Sequence, residues 1–426
     1  MKAKQDWDVI VIGGGPAGLA SAVSAHDAGA RVCVVEREER LGGILKQCIH
    51  DGFGLVRFKE KLTGPEYAFR FIEMARERKI PVYLNSFLTD ISRENGSYRL
   101  ALVNREDGVV LAGGKSIVMA MGCRERTSRQ VFIHGTRPAG VMTAGLAQYY
   151  INIQGLMPTK RCVILGSGDI GLIMARRLTL EGASVEGVYE ILPEPSGLTR
   201  NIVQCLEDYN IPLHLNTSVV KVHGNRRVEG VTVCGMKDFK PVPGTERYIE
   251  CDALILSVGL IPENDILDPL AVDIDPRTKG PLVDQDLMTM REGIFSCGNA
   301  LHVNDLVDFV SESGDTAGRQ AAAYAAGSGR SRALIPVKPE GNIMYVVPQF
   351  LNLAGNSEAV VYFRSARTIR NARLGVRAGE TELVKKKYRV VKPPEMERIT
   401  LDLTKVPAGT GSVVIELKEE AGDEGN

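Results

Sequence analysis

Gly13, Gly15 and Gly18, followed by Glu36, have the types and spacing to cradle a pyrophosphate and hold a ribose. Gly166, Gly168 and Gly171, followed by Glu190, repeat the pattern later in the same chain. Glycines at this spacing let a backbone turn tightly and approach a diphosphate, and a helix N-terminus behind them attracts its negative charge. A carboxylate about 20 residues further on accepts hydrogen bonds from ribose hydroxyls. Two such sets in one chain imply two different dinucleotides.

A glycine triplet of this kind is common by itself, so the elements around it decide its meaning. The first set has an apolar strand-like run at 7–12 before it, a helical pattern at 19–26 after it, and a second strand at 31–35 that ends in Glu36. Pro16 and Ala17 lie inside its loop, and Arg37 follows the acid. The second set has a strand at 161–165, a helix at 172–181 and a strand at 184–189 that ends in Glu190, with Asp169 and Ile170 inside its loop. Each unit therefore reads as strand, phosphate loop, helix, strand and acid, in that order.

Length and composition bound the rest. A chain of 426 residues exceeds what one core supports, so two or three domains are expected. Balanced charge, 52 basic against 52 acidic residues, argues against nucleic acid as a partner. The run Lys385-Lys386-Lys387 reads as a solvated strand edge or turn. No stretch has the length of a membrane span, and the polar start at 1–6 lacks a secretory apolar region, so a cytoplasmic location is the expectation. The eight cysteines stand singly with no CxxC, which supports no metal site and fits a reducing compartment.

The apolar strand at 115–121 closes on Gly122, and the strand at 252–258 closes on Gly259, so the two units share a plan that reads as internal duplication. A third such strand, 293–297, closes on Gly298-Asn299 and returns the chain to the first unit. From about 333 onward, short β-rich runs with turns between them suggest a small sandwich, ending in an acidic tail at 418–426 that is expected to fray. The fold class is therefore α/β, with two Rossmann-like nucleotide-binding domains, one inserted in the other, plus a C-terminal all-β domain. The expected bounds are 1–126 with 262–332 for the first domain, 127–261 for the second and 333–426 for the third.

With these landmarks in place, residues 7 to about 330 resemble the two-dinucleotide-binding flavoproteins, the pyridine nucleotide-disulfide oxidoreductase superfamily. The resemblance implies FAD at the first fingerprint, through Gly13, Gly15, Gly18, Glu36 and the doublet Gly42-Gly43, and NAD(P)H at the second. It also implies a late flavin segment, here Gly298-Asn299, where the family has Asp and this chain has Asn. The stretches 121–126 and 136–148 look like the subgroup holding flavoprotein subunits of hydrogen cyanide synthase, opine oxidase, hydroxyproline dehydrogenase and sarcosine oxidase. The stretch 42–55 looks like bacterial flavoproteins associated with glycerol-3-phosphate dehydrogenase. What these resemblances imply is a partner flavoprotein dehydrogenase, glycerol-3-phosphate dehydrogenase-like as the leading reading, or a small electron carrier, within an oligomer or hetero-complex.

Glu190 favours NAD over NADP, because a carboxylate there repels a 2′-phosphate. Disulfide reduction is disfavoured, since only Cys48 follows the glycine doublet and a short-spaced cysteine pair is missing. Cys48 could act as a single redox thiol passing through sulfenate, with His50 stabilising its thiolate, which would make an NADH-dependent peroxidase or oxidase. The plainer account makes it a structural thiol. A third reading is a non-catalytic FAD-binding assembly subunit. The acids and hydroxyls at 305–315 are expected to cap the start of the helix there, at the point where the family's helix N-terminus supports negative charge on reduced flavin.

Overall fold

The computed structural model describes residues 2–328 and 331–420, so positions 421–426 of the tail expected to fray lie outside the described residues. The chain divides into two compact units, Met1–Cys123 with Pro262–Asn426, and Arg124–Ile261.

In the first unit a parallel sheet runs in the order Val82–Tyr83, Val32–Val35, Lys2–Ile12, Gly108–Met119, with Ile294–Ser296 on the far side of Gly108–Met119. Its strands are apolar at successive positions because both faces are covered: Val9 and Val11 enter one core cluster, Ile10 and Ile12 another. The first half of Gly108–Met119 also forms an antiparallel meander with Ser97–Asn104 and Ser86–Glu94. The helix Pro16–Asp27 packs against Val307–Ala325 at backbone distance. Ser21 Oγ lies 2.9 Å from both Ala17 O and Gly314 O, and a Cβ on Gly318 would meet the Ser21 carbonyl.

The second unit repeats the plan. Its parallel sheet runs Val141–Thr143, Ala253–Leu256, Arg161–Leu165, Ser184–Tyr189, Leu213–His214, and an antiparallel sheet is built on Thr217–His223, Gly230–Lys237 and Arg247–Glu250.

The C-terminal part is a two-sheet sandwich, as its sequence predicts. Five strands run Phe350–Asn352, Leu334–Gly341, Val413–Glu419, Ile369–Ala378, Thr381–Val391, and three run Ile343–Val347, Glu358–Ser365, Met396–Asp402. Val413, Ile415 and Leu417 from one sheet share a core with Val361, Phe363, Ile399 and Leu401 from the other, which is the period-two alternation a half-buried strand requires. The three lysines lie on Thr381–Val391, the edge strand of the larger sheet, where charge blunts edge pairing. Lys387 pairs with Glu420 at 2.8 Å.

Candidate functional site

Both glycine loops are held by the same hydrogen bonds at equivalent positions. Gly13 N donates to Val35 O at 2.8 Å, and Gly166 N donates to Tyr189 O at 2.7 Å. The next amide finds the acid: Gly14 N donates to Glu36 Oε2 at 2.7 Å, and Ser167 N to Glu190 Oε2 at 2.9 Å. Two residues past each acid a backbone amide takes the other oxygen, Glu38 N on Glu36 Oε1 at 2.8 Å and Leu192 N on Glu190 Oε1 at 3.0 Å. The carboxylates are 6% and 4% exposed. Buried charge of this kind is tolerable only when donors surround it.

The helices behind the loops, Pro16–Asp27 and Asp169–Leu180, start at Gly15 and Gly168 with no side-chain cap. Their first-turn amides therefore present positive partial charge, although in the second helix the Gly171 amide is taken by Ser257 Oγ. A Cβ on Gly15 would approach only Gly43 Cα, at 3.8 Å, so the space above that helix end is open.

Around the first loop the structure gathers several of the expected residues. Gly42 N donates to Gly14 O at 2.8 Å, and a Cβ on Gly43 would come within 3.1 Å of Gly15 Cα. Gly298 sits so close to Ala17 that a Cβ there would lie 2.7 Å from the alanine Cβ, and its amide donates to Ser313 Oγ at 2.9 Å. Asn299 Oδ1 accepts from Asn304 N at 3.0 Å, and its Nδ2 reaches Cys123 Sγ at 3.6 Å. A carboxylate could accept the first bond but not donate the second. Gly122 and Gly259 both take positive φ, +75° and +102°, with no backbone atom within 4 Å of an added Cβ. Arg37 makes a loose pair with Glu263 at 3.8 Å, with 51% and 29% of the two side chains exposed, which holds little in place.

The second site differs in how full it is. Glu190 Oε2 also accepts from Ser167 Oγ at 2.6 Å and Ser196 Oγ at 3.0 Å, so only Oε1 keeps capacity for a ribose hydroxyl. Asp169 Oδ1 accepts from Leu198 N at 2.8 Å and Asn201 Nδ2 at 2.6 Å, which fastens the 191–201 segment beside the glycine loop. Ile170 follows in the first turn of the helix, half-buried. Ser257 Oγ accepts Gly171 N at 3.0 Å. Ser196 and Ser257 were not legible as site residues, since serine in a loop carries no distinguishing spacing.

Cys48 lies just past the turn Gly43–Gln47, and its Sγ donates to Ile44 O at 3.4 Å. Packing around the sulfur pushes the thiol up to about 12, so it is protonated at neutral pH and a poor nucleophile. The His50 ring stands 5.0 Å from Phe53. Among the described residues no group of three His, Cys, Asp or Glu could hold a metal ion, and no helix is long and apolar enough to cross a membrane.

The acids at 305–315 do not cap the helix Val307–Ala325, which starts at Leu306 without a side-chain cap. They are drawn off by distant groups instead, three by arginine side chains and Asp308 by a backbone amide. Asp305 pairs with Arg364, Asp308 accepts Arg57 N at 2.8 Å, Glu312 pairs with Arg398, and Asp315 pairs with Arg57. The expectation of capping is corrected: tertiary ion pairs outcompete the local amides and leave the helix end open.

His302, beside this helix start, is 2% exposed and packs against the Tyr345 and Tyr362 rings, and its Nδ1 is buried with no hydrogen-bond partner. Burial, aided by the Arg364 charge, pushes its pKa down from 6.5 to about 3. The unfolded chain takes up this proton below about 6.5 and the folded chain only near 3, so the associated stability is whole above 6.5 and is lost as pH falls between those values. The expected slope is about 1.4 kcal/mol per pH unit. Urea unfolding at pH 7, 6 and 5 should give a flatter pH dependence for His302→Phe than for the wild type, and parallel curves would refute this assignment.

The architecture of two nucleotide folds with duplicated acid-anchored loops defines a flavin and pyridine nucleotide enzyme class. The family profile "Pyridine nucleotide-disulphide oxidoreductase" matches residues 7–329, and the chain belongs to this family of FAD/NAD-dependent oxidoreductases, which binds FAD and NAD(P). Hydrogen cyanide synthase subunit HcnB of Pseudomonas protegens is 27% identical over 62% of this chain and 59% of its own length. An opine oxidase subunit of Agrobacterium tumefaciens is 26% identical over 69% of this chain and 61% of its own. The chain thus spans about three fifths of these curated relatives. Among solved structures, thioredoxin reductase of T. acidophilum superposes with a TM-score of 0.61 at 22% identity, covering 75% of this chain and 99% of that one. L-proline dehydrogenase from P. horikoshii superposes with a TM-score of 0.55 at 19% identity, covering 76% and 56%. These two share the fold.

The residues present fit both cofactors. At the first loop the helix end is uncapped, the space at Gly15 is open, and each Glu36 oxygen keeps a lone pair. The second loop has an uncapped helix end too, but only one Glu190 oxygen with capacity left.

Proposed function

We propose that this chain is an FAD-dependent, NAD-linked oxidoreductase subunit that passes electrons between nicotinamide, flavin and a partner dehydrogenase or carrier. The single observation that carries the reading is the duplication of the acid-anchored loop, Glu36 on Gly14 N and Glu190 on Ser167 N, each at an uncapped helix start. On this reading residues 1–126 and 262–332 hold FAD through Gly13, Gly15, Pro16, Ala17, Gly18, Glu36, Arg37, Gly42, Gly43, Gly122, Gly298 and Asn299. Residues 127–261 hold NAD through Gly166, Gly168, Asp169, Ile170, Glu190 and Gly259, and 333–426 form the β domain.

Bound FAD and NAD would supply hydride chemistry. What this chain contributes is binding and charge: amides at two helix ends for the diphosphates, and two buried carboxylates for the riboses. The uncapped start of Val307–Ala325 adds positive potential beside Gly298-Asn299. The raised thiol of Cys48 favours the relay over a thiol-dependent peroxidase. Both relatives named above are subunits of their enzymes, which supports a partner subunit; the resemblance of 42–55 makes a glycerol-3-phosphate dehydrogenase-like flavoprotein the leading choice.

Stopped-flow reduction under argon tests the nicotinamide assignment. NADH should reduce the flavin at least about tenfold faster than NADPH, a difference of about 1.4 kcal/mol, because the filled Glu190 carboxylate repels a 2′-phosphate. Equal rates, or a preference for NADPH, would overturn it.

A further inference from the structure

A single arginine ties the segment after Gly298-Asn299 to the C-terminal sandwich. Arg364 stands on the strand Glu358–Ser365 with its side chain 12% exposed, and all five of its N–H donors are matched. Nε donates to Tyr345 Oη at 2.8 Å, Nη1 to the Pro393 and Pro394 carbonyls at 3.1 and 2.8 Å, and Nη2 to Val303 O at 3.2 Å and to Asp305 Oδ1. Asp305 Oδ2 accepts Met396 N at 2.6 Å, so the sandwich holds both of its oxygens. The neighbouring Asn304 binds Asn299 Oδ1 through its backbone N at 3.0 Å and its Nδ2 at 3.3 Å, and that same Nδ2 reaches His302 O at 2.8 Å. A continuous set of hydrogen bonds and one short stretch of backbone thus leads from the sandwich to Asn299.

A partly exposed ion pair such as Arg364–Asp305 adds little net stability, and its best use is to fix one arrangement. The arrangement fixed here is that of 299–305. Resting on the reading that Gly298-Asn299 face the flavin, we propose that Arg364 is a positioning residue of the FAD site, through which the β-sandwich sets the place of Asn299.

The test uses the full chain, stripped of flavin, with FAD binding followed by fluorescence and hydrogen exchange measured on the flavin-free protein. Arg364→Met and Asp305→Asn should each weaken FAD about tenfold, and the double variant should bind no more weakly than the poorer single, since both break one link. Arg364→Lys should fail to restore affinity, because an ammonium cannot match five acceptors. Exchange should rise at 299–306 and stay unchanged at 13–18. Arg367→Met, which removes a surface pair with Glu419, is the control and should bind as the wild type does.

Wild-type affinity in folded Arg364 or Asp305 variants, or losses that multiply in the double variant, would overturn the proposal. Should Arg364→Met not fold, the nearly isosteric Asp305→Asn decides by its FAD affinity alone. Wild-type FAD binding is measured without nicotinamide, so failure of NADH to reduce the flavin would strike the electron-transfer reading and not this link.

Discussion

A Gly15→Leu protein is expected to fold normally and to purify colourless. Gly15 has φ −79° and ψ −173°, which any residue adopts, so the substitution strains no backbone. Nothing in the chain closer than Gly43 Cα, 3.8 Å away, meets its Cβ. The leucine would instead fill the space above the uncapped helix end, where a diphosphate must come close to the amides. Flavin content should fall below about a tenth of wild type, a loss of more than about 1.4 kcal/mol in binding. The flavin-free variant should unfold within about 1 kcal/mol of flavin-free wild type, the range usual for a substitution that disturbs no packing. Absorbance at the flavin band and thermal unfolding of the stripped protein check both halves. A yellow Gly15→Leu protein would mean that the pyrophosphate lies elsewhere.

Gly18→Ala, three residues on, should fail for the opposite reason. Its Cβ would land on the Gly13 carbonyl oxygen, with the Gly13 carbon at 2.9 Å and Val11 Cγ1 at 3.3 Å. The loop cannot retreat, because Gly13 holds φ +105° and its amide is bonded to Val35 O at 2.8 Å. Helix and loop must then separate, at about 3 kcal/mol, the upper range for overpacking. Loss of stability in the stripped protein, before flavin enters, distinguishes this variant from Gly15→Leu. Gly171→Ala in the second loop should cost less, about 1–2 kcal/mol, because part of its clash, 2.7 Å from Ser257 Cβ, is with a side chain, though Gly166 O stands at 2.9 Å. A Gly18→Ala protein as stable as wild type would refute the close packing of strand, loop and helix.

What could be read from the sequence was what is locally determined. A glycine that must approach a backbone, and an acid that must end a strand, depend on neighbours within about one βαβ unit, so Gly13, Gly18, Glu36 and Glu190 announced themselves. The alternation of Val413, Ile415 and Leu417 likewise revealed a half-buried strand. The acids of 305–315 misled because local chemistry offered them a helix start, while their actual partners Arg57, Arg364 and Arg398 are far away in sequence. Asp169 was legible as part of the glycine loop, while its bonds to Leu198 and Asn201 were not, since they exist only after 191–201 folds back. Arg364 gave no signal at all, since an arginine on a strand is ordinarily a surface residue.

The central claim, electrons passing from nicotinamide to a single flavin, is tested most directly by titrating the purified holoprotein with NADH under argon, counting reducing equivalents per FAD. One two-electron equivalent should bleach the flavin fully in the wild type and in Cys48→Ser alike, because a thiol held near 12 takes no part. Bleaching that needs two equivalents in the wild type and one in Cys48→Ser would establish a second redox centre at Cys48, and no bleaching by NADH or NADPH would contradict the account outright.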